Sequence, residues 1–86
     1  MPSYLVETYL PPTPTPAQDA RTVGRRARAA AGQLSREDAP VRYVRTTLLP
    51  DDEMCFHVFE AASEEAVAAT CRRAGLESAR IVPVLE

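Results

Sequence analysis

Strand-type and helix-type segments alternate along this chain, and their order leaves few folds open. Residues 3–10 are rich in β-branched and aromatic side chains, which favours a strand. The prolines within residues 11–16 cannot donate ladder hydrogen bonds, and each disfavours helical geometry in the residue before it. This proline-rich segment therefore predicts the end of the strand and a stiff connection to the next element.

A helix is predicted to begin where the proline-rich segment ends. Thr15 can cap it, Pro16 suits the first helical position, and Gln18 would complete a capping box. The apolar face is narrow and rich in alanine, which predicts close packing on a sheet; it consists of Ala20, Val23, Ala27, Ala30 or Ala31, and Leu34. Glycine in a helix costs up to about 1 kcal/mol relative to alanine. We therefore interpret Gly24 as a further position of close approach.

The second half of the chain contains a hairpin, a helix and a last strand. Residues 41–49 and 54–60 have strand character, and the residues between them predict a tight turn. Ser63 can cap a second helix, Gly75 can end it, and the apolar segment from Ala79 to Leu85 predicts the last strand.

The order β-α-β-β-α-β predicts a ferredoxin-like α+β fold. In this fold, a four-stranded antiparallel sheet carries both helices on one face. The 86 residues leave room for a single domain over residues 1–86. A domain this small buries only about 60% of the surface that its unfolded chain exposes, so its stability is marginal unless a covalent staple, a metal or a partner subunit adds to it.

The hairpin predicts apolar side chains on both faces of the sheet. If Leu49 pairs with Met54, alternation assigns one face to Val44, Thr46, Leu48, Cys55, His57 and Phe59, and the other to Tyr43, Arg45, Thr47, Met54, Phe56, Val58 and Glu60. An apolar face that the helices leave open commonly marks an interface. We therefore expect a homodimer, a dimeric α+β barrel with room for a small ligand between the sheets. The alternative is that the C-terminal tail or the proline-rich segment covers this face.

Charge and cysteine content exclude several classes of partner. The net charge is −2 and the arginines are spread over several segments, so we expect no nucleic-acid partner. Cys55 and Cys71 have no Cys-x-x-Cys spacing, which predicts free thiols in a reducing compartment. The first residues do not resemble a secretory signal and no stretch has the length of a membrane span, so we expect a cytoplasmic protein without a membrane partner.

His57 is the only histidine, so any imidazole chemistry at neutral pH depends on it. It could be a packed strand residue without a chemical role. Alternatively, if the first and third strands are neighbours, Glu7 could approach His57, and the histidine could then serve as a general base or as part of a metal site. Cys55 should face the same way as His57, whereas Glu60 should lie on the opposite face unless a bulge intervenes.

Three functions remain open from these residues. A divalent metal such as nickel would need ligands from both subunits or from water; the candidate ligands are His57, Glu7, Cys55 and Glu60. An enzyme acting on an apolar metabolite would use His57 as acid or base, with Arg45 or Tyr9 steadying an oxyanion. A structural or regulatory dimer would have no site, and fold alone does not choose among the three.

Several segments together resemble one known family. They are Tyr4-Leu5-Val6-Glu7, residues 41–46, residues 55–61, residues 63–67, residues 73–76 and residues 79–82. They are similar to short bacterial, often actinobacterial, domains of unknown function that carry the name nickel-binding protein. The resemblance implies a ferredoxin-like fold, a dimeric α+β barrel and a divalent metal, nickel, as ligand.

Overall fold

Within residues 1–76 and 80–85, the strands and helices follow in the order β-α-β-β-α-β that the sequence predicts. The computed structural model describes residues 1–76 and 80–85. The elements are β1 (Ser3–Tyr9), α1 (Pro16–Arg36), β2 (Val41–Leu49), the 3-10 turn Pro50–Asp52, β3 (Met54–Ala61), α2 (Glu64–Ala74) and β4 (Arg80–Val84). The predicted ferredoxin-like α+β fold is confirmed. The predicted start of the last strand at Ala79 lies outside the described residues.

All strand pairs of the sheet are antiparallel, in the order β2-β3-β1-β4. Strands β3 and β1 are therefore central, whereas β2 and β4 form the edges. Leu49 pairs with Met54 across the hairpin, as predicted. Pro83 lies in the edge strand β4, where proline, which cannot donate a ladder hydrogen bond, is tolerated.

A β-bulge in β2 changes the predicted assignment of faces. Tyr43 pairs with Phe59 and Arg45 pairs with Val58, so Val44 is an extra residue in β2. The prediction that Tyr43 shares a face with Arg45 is therefore wrong, because the bulge reverses the alternation before it. Tyr43 instead packs edge-on against Phe59, with ring centroids 5.8 Å apart.

Both helices pack on one face of the sheet, which we call the covered face. The buried core there contains Val6, Val41, Phe59 and Ala61 from the strands and Ala27, Ala30, Ala31, Leu34, Val67, Cys71 and Ala74 from the helices. The small side chains of α1 bring its backbone close to the sheet. Gly24 is buried, as its interpretation as a close-approach position required, while Val23 is only partly buried. No helix in residues 1–76 or 80–85 is long and apolar enough to cross a membrane.

The predicted capping box at the start of α1 does not form. The side chain of Thr15 makes no capping hydrogen bond to the helix backbone. The hydroxyls of Thr13 and Thr15 donate instead to the carboxylate of Asp19, in the first turn of α1. A carboxylate at this end of a helix is favoured by the helix dipole. The Thr15 backbone N–H, which Gln18 was predicted to bind, donates instead to the hydroxyl of Thr13 at 3.1 Å.

The ends of α2 agree with the prediction. The hydroxyl of Ser63 accepts a hydrogen bond from the Ala66 backbone N–H at 3.2 Å. Gly75 ends the helix with φ 75°, in the left-handed region that favours glycine. Arg26 of α1 donates to the Ala74 carbonyl at this helix end, which links the two helices.

Candidate functional site

The face of the sheet opposite the helices, which we call the open face, carries an apolar centre. Cross-strand partners share a face, so the register places Leu5 of β1 beside Val58 of β3 and Val82 of β4. Phe56 and Met54 continue the apolar strip along β3, and all five side chains are only half-buried. The predicted apolar character of both sheet faces is confirmed.

Ion pairs flank this apolar strip. Arg80 lies 3.3 Å from the carboxylate of Glu7, whose side chain is only 21% exposed. Arg42 lies 2.7 Å from the carboxylate of Glu60 near one end of β2 and β3. Both of the carboxylates predicted as metal ligands are thus on the open face, and each already has an arginine partner.

The two side chains predicted to steady an oxyanion are also on the open face. Arg45 is exposed and pairs in register with Val58. Tyr9 donates a hydrogen bond to the carboxylate of Glu53 at 2.9 Å. This hydrogen bond raises the pKa of Tyr9 above its ordinary value, because the carboxylate of Glu53 disfavours the phenolate.

His57 lies on the covered face and is fully buried. Its Nε2 is 3.1 Å from the hydroxyl of Thr8, and its Nδ1 is 2.8 Å from the hydroxyl of Thr46. Burial lowers the pKa of His57 from 6.5 to about 4, because the charged imidazolium would lose its hydration. His57 is therefore neutral at physiological pH, with one ring nitrogen a donor and the other an acceptor.

The predicted approach of Glu7 to His57 is wrong. Strands β1 and β3 are neighbours, as predicted, but Val6 pairs with His57 while Glu7 pairs with Phe56. Alternation therefore places Glu7 on the open face. Glu60 also lies on the open face, as the odd spacing from His57 indicated. The residues predicted for an enzyme are also separated, because His57 lies on the covered face while Arg45 and Tyr9 lie on the open face.

Cys55 shares the covered face with His57, as predicted, and its thiol is buried. Burial raises the pKa of this thiol, so the thiolate that a metal requires is disfavoured. Cys55 and Cys71 are both free, in agreement with the sequence.

The four side chains predicted to hold nickel do not converge within one chain. In the described part of the chain, no three His, Cys, Asp or Glu side chains lie close enough to hold a metal ion. Both ring nitrogens of His57 are occupied by threonine hydroxyls, and Cys55 lies beside it as a protonated thiol. Glu7 and Glu60 are on the other side of the sheet. The predicted donor set therefore does not fit nickel in a single subunit.

A cleft between α1 and β2 is a feature that the sequence prediction missed. It encloses about 470 Å³ and is lined mainly by Arg21, Arg25 and Arg28 on the helix, and by Tyr43 and Thr46 on the strand. From the sequence, a solvated face of the first helix is the simplest explanation of Arg21, Arg25 and Arg28, and it predicts no site there. Their spacing of four and three residues places them on one side of α1, and this signal could have identified the cleft wall.

Comparisons with known proteins add a family and a fold. A family model described as nickel responsive protein SCO4226-like matches residues 4–84. The fold is similar to the crystal structure of SCO4226 from Streptomyces coelicolor A3(2), with a TM-score of 0.65 and 17% sequence identity over 98% of this chain and 96% of that chain. At this identity, the structural similarity shows the fold alone. No curated protein sequence matches this chain.

Proposed function

The chain belongs to the SCO4226-like family of nickel responsive proteins, and from this membership we propose that it acts as a small homodimeric ligand-binding protein. The open face is the observation that carries the proposal. Its half-buried strip of Leu5, Met54, Phe56, Val58 and Val82 lies on the side of the sheet away from α1 and α2. Apolar patches of this kind commonly mark interfaces, and a second copy of the chain is a partner always present at equal concentration.

Within the described residues, neither the proline-rich segment nor the C-terminal tail packs over this face. Residues 11–15 of the proline-rich segment are exposed and lead to α1, on the covered side. Leu10, directly before them, is buried with Ala20 and Cys55 on that side too. Leu85 is 94% exposed, so the described part of the C-terminal tail does not pack on the open face. These placements argue against the alternative in which a tail or the proline-rich segment covers the strip.

Nickel is the first ligand to consider, because the family is named for its response to nickel. One subunit offers no converging set of metal ligands among its described residues. A face-to-face dimer would double the carboxylates on the open face. Glu7 pairs with Phe56 of the apolar strip, whereas Glu60 lies next to the end of β3. We therefore assign the Glu7 carboxylates of both copies as nickel ligands, with water completing the shell, and assign no role in metal binding to His57. Nickel would displace Arg80 from Glu7, and the Arg80 side chain is exposed enough to move into solvent.

Native mass spectrometry with and without nickel tests both parts of the proposal. We expect a dimer that takes up nickel in the wild type, retains the uptake in Glu65→Gln, and loses it in Glu7→Gln. Glu65 is an exposed carboxylate in the first turn of α2, so its variant is matched in charge but lies away from the open face. A monomer at micromolar concentration would contradict the dimer. A dimer without nickel, or equal uptake by both variants, would contradict the assignment of Glu7.

A further inference from the structure

We infer that the cleft between α1 and β2 is a second binding site, for a small organic anion with an apolar body. The site goes beyond the proposed function, because it lies on the opposite side of the sheet from the open face. Its volume of about 470 Å³ falls in the range of small-molecule sites. Both walls belong to regular elements that are fixed by the core, so the site is formed before any ligand arrives.

The charge of the cleft favours an anion. Arg21, Arg25 and Arg28 line one wall, and none of the lining residues is acidic. In residues 1–76 and 80–85, none of these three arginines forms an ion pair with a carboxylate. Three positive charges on one wall repel each other, and an anion between them would relieve that repulsion. The planar guanidinium group also matches a carboxylate with two parallel hydrogen bonds.

The remaining lining residues favour an apolar body on that anion. Ala17, Ala20 and Leu48 contribute aliphatic surface to the cleft. Gly24 lets α1 lie close to β2 at the base of the cleft, because it has no Cβ. A Cβ there would lie 2.8 Å from the Tyr43 hydroxyl and 3.0 Å from that of Thr46. The two hydroxyls therefore lie directly below the helix, where a ligand reaches them beside the arginines.

A chain of hydrogen bonds connects the cleft to His57. The hydroxyl of Tyr43 is 2.6 Å from that of Thr46, which in turn is 2.8 Å from Nδ1 of His57. Thr8 closes the chain at Nε2. Each hydroxyl has a single proton to donate. The hydrogen bonds therefore all donate from Tyr43 toward Thr8, or all donate from Thr8 toward Tyr43.

The tautomer of His57 therefore determines what Tyr43 presents to the cleft. When Nε2 carries the proton, Nδ1 accepts from Thr46, Thr46 accepts from Tyr43, and only a lone pair of the Tyr43 oxygen faces the cleft. When Nδ1 carries the proton, it donates to Thr46, Thr46 donates to Tyr43, and the Tyr43 hydroxyl can donate into the cleft. An anion accepts hydrogen bonds, so the bound protein should hold the proton on Nδ1.

Titration of ¹⁵N-labelled protein with benzoate at low ionic strength tests the site. We expect saturable shifts of the backbone amides of Gly24, Tyr43 and Thr46. Benzyl alcohol, which has the same ring without the charge, should bind at least about tenfold more weakly, as should inorganic phosphate, which lacks the apolar body. Shifts that do not involve these amides would overturn the site. Equal binding of benzyl alcohol would overturn anion selection, and equal binding of phosphate would overturn the apolar body.

Two variants on the same helix test the arginines. Arg25→Gln should weaken benzoate binding about tenfold. Arg36→Gln removes the same charge from the last turn of α1, outside the cleft, and should leave the affinity unchanged. Equal affinities of the two variants would show that the cleft arginines do not hold the ligand.

The ring nitrogens of His57 provide an independent readout. With benzoate saturating, their ¹⁵N shifts should report the proton on Nδ1. Tyr43→Phe keeps the ring that packs on Phe59 but removes the hydroxyl, so benzoate should still bind through the arginines without setting the tautomer. A saturated wild type with the proton on Nε2, or the same response in Tyr43→Phe, would overturn the connection between cleft and histidine.

Discussion

His57 is a histidine that the fold keeps uncharged. Its side chain is fully buried, and burial lowers its pKa from 6.5 to about 4. An imidazole in the unfolded chain titrates near its ordinary pKa, so between these two values the unfolded state binds more protons than the folded state. The free energy of unfolding should therefore decrease as the pH falls through this window, and His57 should add no further loss below about pH 4.

This pH dependence can be measured by urea denaturation of the wild type and His57→Gln. Other groups titrate in both proteins, so the difference between the two unfolding free energies isolates His57. The unfolding free energy of the wild type minus that of His57→Gln should decrease by on the order of 2 kcal/mol from about pH 7 to about pH 4.5, since each unit of pKa shift corresponds to about 1.4 kcal/mol. A constant difference would show that His57 does not have a depressed pKa in the folded protein.

Thr46 is one of the two threonines that hydrogen-bond the ring nitrogens of His57. Thr46→Val keeps the shape of the side chain but leaves Nδ1 of the buried imidazole without a partner. We expect a loss of about 1–3 kcal/mol in the free energy of unfolding, the cost of an unsatisfied buried polar group. The neighbouring Thr47→Val, at an exposed position of β2, should change it by less than about 0.5 kcal/mol. Similar losses in the two variants would contradict this role of Thr46.

The sequence predicted which residues could do chemistry but not which of them meet. His57 and Cys55 share a face because their spacing is even, and this much was predictable. The meeting of His57 with Thr8 and Thr46 depends on the register of three strands, which no local pattern contains. The same register placed Glu7 on the opposite face, one position from where the metal hypothesis needed it.

Two glycines of α1 test how closely this helix approaches the sheet. Alanine is favoured over glycine inside a helix by up to about 1 kcal/mol, so Gly32→Ala should stabilise the protein, because its new Cβ meets only the Arg36 guanidinium at 3.7 Å. At Gly24 the new Cβ would lie 2.8 Å from the Tyr43 hydroxyl. Tyr43 is held in place, because its hydroxyl is hydrogen-bonded to Thr46 and the guanidinium of Arg28 lies over its ring, 5.2 Å from the centroid.

Thermal or urea denaturation of Gly24→Ala and Gly32→Ala should therefore give opposite results. We expect Gly24→Ala to be less stable than Gly32→Ala by at least about 1 kcal/mol, because the displacement of Tyr43 outweighs the gain in helix propensity. Equal stabilisation by both substitutions would mean that α1 and β2 can separate at low cost.

The bounds of the elements were the most predictable part of the fold. Turn and capping residues mark them directly: Ser63 and Gly75 delimit α2, and the residues after Leu49 form the turn between β2 and β3. The bulge at Val44 left only a weak signal in the sequence: Tyr43 and Val44 are two apolar residues in succession, which breaks the alternation of residues 41–45. Only the pairing with β3 shows that Val44 is the extra residue. One such residue moved Tyr43 to the covered face, where it lines the cleft.

For the whole molecule, the proposed dimer predicts a stability that depends on protein concentration. Each tenfold increase in concentration should stabilise the dimer by about 1.4 kcal/mol. Urea denaturation over a range of concentrations measures this. Val58→Asp places a charge in the apolar strip of the open face and should give a monomer whose unfolding midpoint is independent of concentration. Ala62→Asp, at an exposed position after β3, should remain dimeric. A wild type with a constant midpoint would contradict the dimer.

The edges of the sheet also have a consequence for assembly. Edge strands present unpaired backbone groups that can recruit further strands and start fibres. In this sheet one edge, β2, is interrupted by the bulge at Val44, and the other, β4, is short and contains Pro83, which has no N–H to donate. Both edges are therefore poor templates for adding strands. Even at high concentration, the protein should associate through its faces and resist growth into ribbons.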